Sequence, residues 1–231
     1  QYQTLPRPKG ELAHAYGDKV HILSQPYPMS LLTRLCSDPC VQPEVNTLMS
    51  QLFAWLFGEI SSRELTTCQS QTPTRMHSMH PEAIIEGEHI DPTQKAVVVD
   101  VARAGILPSA VFYDALNVLL KPAGVRQDHI FMNRVTDDEG QVVGVDLSGS
   151  KIGGPVDDAF VFFPDPMAAT GSSMAEVLRR YRDEVDGQPK KLIVVHLIVT
   201  PEYLKKITTL FPEVSIYAVR LDRALSPEHL L

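Results

Sequence analysis

The chain has few cysteines and no long hydrophobic run. Cys36, Cys40 and Cys68 are its three cysteines in 231 residues, too few for a disulfide framework. No apolar stretch approaches the roughly 20 residues that a bilayer-spanning helix needs, and the first residues show no secretory signal pattern. These absences speak against a disulfide-stapled secreted domain and against a helical membrane protein. We therefore expect a cytoplasmic protein with no membrane partner.

Runs of basic residues are also missing. The 21 Lys and Arg residues are outnumbered by 28 Asp and Glu residues, which gives a formal net charge of −7. Such a surface is unsuited to nucleic acid or to an anionic membrane. Small anionic substrates still fit, because their recognition depends on where single arginines stand. With 44% hydrophobic residues, the chain is long enough for one α/β domain with a substantial core, and we expect a single domain over residues 1–231.

Patterns typical of protein-built metal sites are weak. Cys36 and Cys40 are separated by three residues, but no second cysteine pair follows. His77, His80 and His89 lie in a polar stretch and lack the i, i+4 spacing of a helical zinc motif. We interpret these residues as reduced thiols and solvated loop histidines, and we predict no metal ligands in the protein.

An arm, a long helix and a polar insertion precede the first long strand. Residues 1–19 are polar and contain two prolines, which predicts an arm. Residues 45–60 carry apolar side chains at i, i+3, i+4 and i+7, which predicts a buried amphipathic helix. Trp55 and Phe57 lie off that apolar stripe, so they indicate either a subunit contact or packing under the arm. The polar residues 61–94 predict loops or a β-hairpin.

The rest of the chain alternates between buried strands and helices. The runs AVVVDV (96–101), AFVFF (159–163) and KLIVVHLIV (191–199) have the composition of strands buried on both faces. Helical spacing follows the first two runs. This alternation predicts a mainly parallel sheet flanked by helices. His196, in the middle of the last run, is interpreted as a hydrogen-bonded core histidine rather than a catalyst.

A strand, an acidic turn and a helix start follow one another between Ala159 and Arg180. The apolar run ends at Pro164, Asp165 follows, and small or hydroxyl residues lead into a helix. The unpaired N–H groups and positive dipole of a helix N-terminus favour phosphate, while a carboxylate accepts hydrogen bonds from sugar hydroxyls. The stretch is therefore suited to a phosphorylated sugar. The alternative is an ordinary N-cap formed by Thr170 or Ser172.

Arg103 follows directly after the strand at residues 96–101, in the sequence Ala-Arg-Ala-Gly. Ligands of open α/β sheets bind beyond the carboxyl ends of the strands, so an arginine there is well placed to bind an anion. The Ala-Gly pair also allows main-chain N–H groups to approach a ligand closely. The alternative is a solvated arginine at the start of a helix.

Both motifs resemble those of the uracil phosphoribosyltransferases. DPMAATGSS (residues 165–173) resembles the loop with which type I phosphoribosyltransferases bind phosphoribosyl pyrophosphate (PRPP), and its second residue, Pro166, is similar to the uracil branch. ARAG resembles the LRAG turn that cradles pyrophosphate. The resemblance covers about residues 20–228. It implies a type I phosphoribosyltransferase fold with an N-terminal helical arm and insertion (1–95) and a PRPP-binding core (96–231).

The resemblance also implies a reaction, the transfer of the phosphoribosyl group from PRPP to uracil in pyrimidine salvage. Arg103, Arg134 and Asp165 would then be the catalytic residues, with Arg134 at the end of the third strand. The full set implied to bind PRPP is Arg103, Arg134, Asp165, Pro166, Met167, Ala168, Ala169, Thr170, Gly171, Ser172 and Ser173. Mg²⁺ is expected to arrive with PRPP, and the family implies a homodimer. The Gly-rich residues 135–158 are expected to form a mobile flap.

Some features depart from the family. Asp100 and Ala102 stand where the family has proline or apolar residues, and Ser172 replaces a common glycine. The printed chain reaches Leu231 without the PGLGDAGDR-like segment that recognises uracil. We expect the protein to have this segment, ordered only with substrate. Two alternatives stay open: a phosphoribosyltransferase for another base, and a non-catalytic sensor of PRPP or nucleotide with the same fold.

Overall fold

The computed structural model describes residues 10–136 and 142–225. The strands are β1 (Val20–Ile22), β2 (Thr67–Pro73), β3 (Ile84–Ile90), β4 (Lys95–Ala102), β5 (Val125–Thr136), β6 (Val142–Lys151), β7 (Ala159–Pro164), β8 (Met167–Ala168), β9 (Lys191–Val199) and β10 (Ser215–Leu221). The helices are α1 (Pro26–Leu35), α2 (Glu44–Glu64), α3 (Ile106–Leu119), α4 (Ser172–Glu184) and α5 (Pro201–Leu210). Within these residues, no helix is long and apolar enough to cross a membrane.

The main sheet runs in the order β1-β10-β9-β7-β4-β5-β6, and the short β8 pairs with β9. All neighbouring pairs are parallel except β5 and β6. Side chains of α4 and α5 pack on one face of the sheet, and those of α1, α2 and α3 pack on the other. Because both faces are covered, the central strands are mostly apolar, with Asp100 in β4 and His196 in β9 as buried polar exceptions. The predicted α/β fold class, a mainly parallel sheet flanked by helices, is confirmed.

Two elements settle what the sequence had left open. The polar insertion forms a hairpin, in which β2 and β3 pair antiparallel as a sheet of their own. Phe57 is a core residue, since its ring packs 5.3 Å from that of Phe112 on α3. Trp55 is partly buried against the same core. Phe57 therefore does not indicate a subunit contact, whereas a subunit contact through the uncovered part of Trp55 stays a prediction.

The third strand is longer than the sequence predicts. The sequence predicts this strand at residues 128–132, whereas β5 begins at Val125 and continues to Thr136, where it pairs antiparallel with β6. The Gly-rich stretch from residue 135, predicted to form a flap, thus begins as a continuation of the main sheet. Residues 137–141, near the start of the predicted flap, lie outside the described part of the chain.

The parallel direction of the strands decides where a site can form. The strands β4, β7 and β9 are neighbours in the sheet, and they end at Ala102, Pro164 and Val199. The loops that follow them therefore meet at one edge of the sheet, where ligands of open α/β folds bind. Arg103 and Asp165 both lie at this edge, as the sequence predicts.

Candidate functional site

The loop from Asp165 to Ala168 is fixed along β9. The N–H of Asp165 donates to the main-chain oxygen of Val195 over 2.9 Å, and the oxygen of Pro166 accepts from the N–H groups of Leu197 and Ile198. Met167 and Ala168 then form β8, which pairs parallel with β9. Pro164 ends β7 and Pro166 follows it, and neither has an N–H to donate, yet the chain stays attached to the sheet. The loop is thus held in one conformation before the helix begins.

Gly171 is the N-cap residue of α4. It has φ +75° and ψ 2°, in the left-handed region that favours glycine. Glycine has no side chain with which to cap the helix. The Oγ1 of Thr170 accepts a long hydrogen bond of 3.4 Å from the N–H of Ser172, but neither residue is the N-cap. The ordinary N-cap alternative is therefore wrong. Thr170, Ser172 and Ser173 are exposed, so the first turn of α4 presents main-chain N–H groups beside exposed hydroxyls, and the hydroxyl of Thr170 donates to that of Ser172 over 3.4 Å.

His196 and Tyr203 support the loop from the side of the core, and both are fully buried. The Nδ1 atom of His196 lies 2.7 Å from the main-chain oxygen of Asp165, which can only accept, so Nδ1 carries the hydrogen. The Nε2 atom must then accept from the hydroxyl of Tyr203, 2.6 Å away. Burial lowers the pKa of His196 to about 4 and raises that of Tyr203 well above its usual value. Both groups are therefore neutral, and the interpretation of His196 as a core histidine is confirmed.

Thr200 adds a second support, at the junction of β9 and α5. Its Oγ1 donates to the main-chain oxygen of Ala169 over 2.5 Å and accepts from the N–H of Tyr203 over 3.1 Å. Its own N–H donates to the oxygen of Ala168. The N-cap of α5 thus binds the small-residue turn that leads into α4. Because β9 and the N-cap of α5 hold the main chain from Asp165 to Ala169, the N–H groups that follow keep a fixed direction.

The turn after β4 is equally constrained. The peptide bond between Ala102 and Arg103 is cis, and the N–H of Gly105 donates to the oxygen of Val101 over 2.9 Å. A Cβ atom at Gly105 would lie 2.8 Å from the main-chain N and O of Val101, so only glycine fits there. Arg103 itself is exposed. Its guanidinium is therefore accessible to an anion at the edge of the sheet.

Arg134 lies in β5, where it pairs with Val145 of β6. Only its main chain belongs to the described part of the structure, so its implied role stays a prediction.

A buried carboxylate lies beneath the Arg103 turn. Asp100 is 4% exposed, and its Oδ2 accepts a 3.0 Å hydrogen bond from Nδ1 of His129 on β5. Its Oδ1 is 3.2 Å from the place that a Gly105 Cβ would take, and within the described residues it has no hydrogen-bond partner. The sequence marks Asp100 as unusual, but it gives no sign that His129 pairs with it.

Lys206 on α5 also reaches the site, and sequence reasoning missed it. Its Nζ donates to the Oγ of Ser172 over 2.9 Å. The available signal was helical periodicity, because Lys206 follows the buried Tyr203 by three residues and precedes the buried Ile207 by one. Lys206 belongs to no recognised motif, so nothing in the sequence connected α5 with the turn before α4.

Side chains suited to a metal ion do not cluster at this site. Over residues 10–136 and 142–225, no group of three or more His, Cys, Asp or Glu residues could hold a metal ion. Asp165 is the single carboxylate in the turn between β7 and α4. A metal here would have to take most of its ligands from a bound molecule and from water.

Comparisons with known proteins point to one family. The family model described as uracil phosphoribosyltransferase matches residues 22–231. A uracil phosphoribosyltransferase of Pyrobaculum islandicum is 38% identical over 90 residues, which are 38% of this chain and 41% of that protein. One from Thermococcus gammatolerans is 34% identical over 82 residues, 36% of each chain. The matched segment thus spans about two fifths of the length of these relatives.

The fold is shared with a solved structure. The AQ2163 protein of Aquifex aeolicus superimposes with a TM-score of 0.69 over 90% of both chains, at 20% sequence identity. This likeness concerns the arrangement of strands and helices alone. It places the sheet order and the two helical layers of this chain in an arrangement already found in another protein.

Proposed function

Because the chain belongs to the uracil phosphoribosyltransferase family, we propose that it transfers the 5-phosphoribosyl group of PRPP to uracil and releases pyrophosphate. The observation that carries this proposal is the turn from Asp165 to Ser173. It combines a carboxylate, a left-handed glycine and a helix N-terminus without a side-chain cap. These features suit a phosphate with a ribose attached to it, because the helix N-terminus favours the phosphate and the carboxylate can accept hydrogen bonds from the ribose hydroxyls.

The reaction exchanges one bond at the anomeric carbon for another. The bond from C1′ to a pyrophosphate oxygen breaks, the bond from C1′ to N1 of uracil forms, and the N1 proton is released. The products are UMP and pyrophosphate. An oxocarbenium-like transition state needs no protein nucleophile, so the protein accelerates the reaction by positioning the substrates and by stabilising the departing charge.

Each part of the site takes one portion of PRPP in this proposal. The N–H groups and hydroxyls of residues 168–173 bind the 5′-phosphate, and the carboxylate of Asp165 accepts hydrogen bonds from the ribose hydroxyls. Arg103 and Arg134 bind the pyrophosphate and offset the charge that develops on it. Fixed donors are effective because they do not have to reorient during the reaction. The supports from His196 and Thr200 keep the loop in this state.

Mg²⁺ fits the site as a companion of PRPP. A turn with one carboxylate does not build a cage for a hard cation, which prefers six oxygen ligands, whereas the phosphates of PRPP supply such oxygens. Bound in this way, Mg²⁺ would neutralise part of the pyrophosphate charge. Asp165 is the residue of the turn that could add a protein oxygen.

The test is a product assay with a set of free bases. The protein is incubated with PRPP, Mg²⁺ and either uracil, cytosine, adenine, guanine or hypoxanthine, and nucleotides are separated by chromatography. We expect UMP as the product. A nucleotide of another base would contradict the choice of uracil, and PRPP binding without any nucleotide would favour a non-catalytic sensor.

A homodimer is also part of the proposal. A two-stranded hairpin such as β2–β3 is marginally stable by itself, and it exposes Ile84 and Ile85, so we expect a second copy to cover it. Sedimentation should give twice the chain mass of 25.6 kDa; a monomer at micromolar concentration would contradict this. The free thiols of all three cysteines support a reducing compartment, and we propose the cytoplasm.

A further inference from the structure

We propose that Lys206 is a further PRPP-binding residue, whose ammonium group binds the 5′-phosphate at the Gly171–Ser172 turn. This proposal rests on the proposed function, because it assigns one more residue to the same site. It is carried by the position of Lys206 on α5, a helix outside both PRPP motifs.

The lysine reaches the turn along a defined path. Its Nζ lies 2.9 Å from the Oγ of Ser172, and its Cδ lies 3.5 Å from the place that a Cβ of Gly171 would occupy. The aliphatic part of the side chain therefore passes over the left-handed glycine. The ammonium group ends beside Ser172, the first residue of α4.

The charge of the turn explains why a lysine is needed there. Residues 168–173 carry no charged side chain, and the helix dipole supplies only about half an elementary charge. A phosphate monoester carries a charge of about −1.5 to −2 at pH 7. Lys206 supplies a full positive charge at a site that otherwise relies on dipoles.

The hydrogen bond with Ser172 leaves donors free for a phosphate. An ammonium group has three donors, and Ser172 takes one of them. The Ser172 oxygen accepts in this contact, so its own hydrogen is available for a phosphate oxygen. Lys206 and Ser172 together thus offer up to three hydrogen-bond donors at the N-terminus of α4.

The chain contains its own control. Lys205 is the preceding residue of α5 and is exposed, whereas Lys206 is partly covered. Replacing either lysine with methionine removes the same charge from the same helix and keeps most of the aliphatic side chain. A general effect of lost positive charge would therefore be the same in both variants.

The experiment measures the dissociation constants of ribose 5-phosphate, PRPP and pyrophosphate by calorimetry. We expect Lys206→Met to weaken ribose 5-phosphate and PRPP by a common factor of about tenfold, as for a lost charge-assisted contact. Pyrophosphate binding should be unchanged, and Lys205→Met should behave as the wild type. Lys206→Arg should retain most of the affinity, and the effect of Lys206→Met should shrink at high salt.

Several results would overturn the proposal. These are equal affinities of Lys206→Met and Lys205→Met for ribose 5-phosphate, a loss confined to pyrophosphate, or no binding of ribose 5-phosphate by the wild-type protein. The outcome is separate from that of the proposed function. A wild-type protein that forms no UMP but binds ribose 5-phosphate through Lys206 would refute the activity and leave this inference standing.

Discussion

The hydroxyl of Tyr203 lies 2.6 Å from the Nε2 atom of His196, and both side chains are fully buried. The other nitrogen of the same ring donates to the main chain of Asp165. The main-chain oxygen of Asp165 can only accept, so it determines which tautomer of the histidine is present, and the phenol on α5 donates to the other ring nitrogen. His196 in turn holds the main chain of the residue that we assign to ribose binding. These two neutral groups thus connect the buried core of the protein with the loop at Asp165.

Removing the phenolic hydroxyl should destabilise the fold. In Tyr203→Phe, the Nε2 of His196 would be buried without a donor, which costs about 1–3 kcal/mol. We expect the free energy of unfolding in urea at pH 7 to fall by this amount. Tyr27→Phe is the control, because Tyr27 is 56% exposed and should not change the stability. Equal stability of the two variants would contradict the proposed hydrogen-bond pair.

The same pair predicts a dependence of stability on pH. Burial lowers the pKa of His196 from its ordinary 6.5 to about 4, so the unfolded chain binds a proton at a higher pH than the folded one. This contribution to stability is complete above pH 6.5 and is lost as the pH falls toward 4. The loss is at most about 1.4 kcal/mol per pH unit.

Urea unfolding between pH 7 and pH 4.5 measures this slope. The double variant His196→Asn/Tyr203→Phe lacks the titrating ring, while all other histidines are kept. Its free energy of unfolding should therefore change less steeply with pH than that of the wild type. Parallel slopes for the two proteins would show that His196 is protonated as easily in the folded state as in the unfolded chain.

Gly171 should tolerate no side chain. In Gly171→Val the left-handed backbone is strained, and the new Cβ would lie 3.2 Å from the ring of Tyr203. We expect PRPP binding to be lost while the far-ultraviolet circular dichroism remains that of the wild type. Gly17→Val is a matched control, because Gly17 has φ +97° but open space around it. Wild-type PRPP affinity in Gly171→Val would refute the assignment of the turn.

The charged residues should separate by role. Asp165→Asn should mainly weaken PRPP binding, since the carboxylate is assigned to the ribose. Arg103→Ala should mainly lower kcat, by about tenfold or more, since it removes a charge-assisted contact to the departing pyrophosphate. Arg179→Ala, in an exposed ion pair with Glu176 on α4, controls for the lost charge. Unchanged kcat in Arg103→Ala would contradict its role.

The sequence predicted most of the fold for a physical reason. Local sequence patterns mark the strands at residues 96–101 and 191–199 and the helix at residues 106–119. A strand buried on both faces is a continuous apolar run, and a helix buried along one stripe has apolar residues at helical spacing. Gly171 was recognised as a small residue of the turn, but its role as N-cap depends on a backbone angle that the sequence does not display.

Contacts between distant segments were the part that could not be predicted. Lys206 meets Ser172 across 34 positions, and His129 meets Asp100 across 29. Asp100 and His129 meet because β4 and β5 are neighbours in the sheet, and Lys206 and Ser172 meet because α5 and α4 pack on the same face. No local pattern in the sequence shows which elements will be neighbours. Motifs therefore located the turns of the site, whereas the structure was needed to find the side chains around them.

The most direct test of the account follows both products of one reaction. The protein is incubated with PRPP, Mg²⁺ and labelled uracil, and UMP and pyrophosphate are measured over time. We predict equal amounts of the two products at every time point. Pyrophosphate released without UMP, or bound PRPP that yields neither product, would contradict the assignment of the chain as a uracil phosphoribosyltransferase.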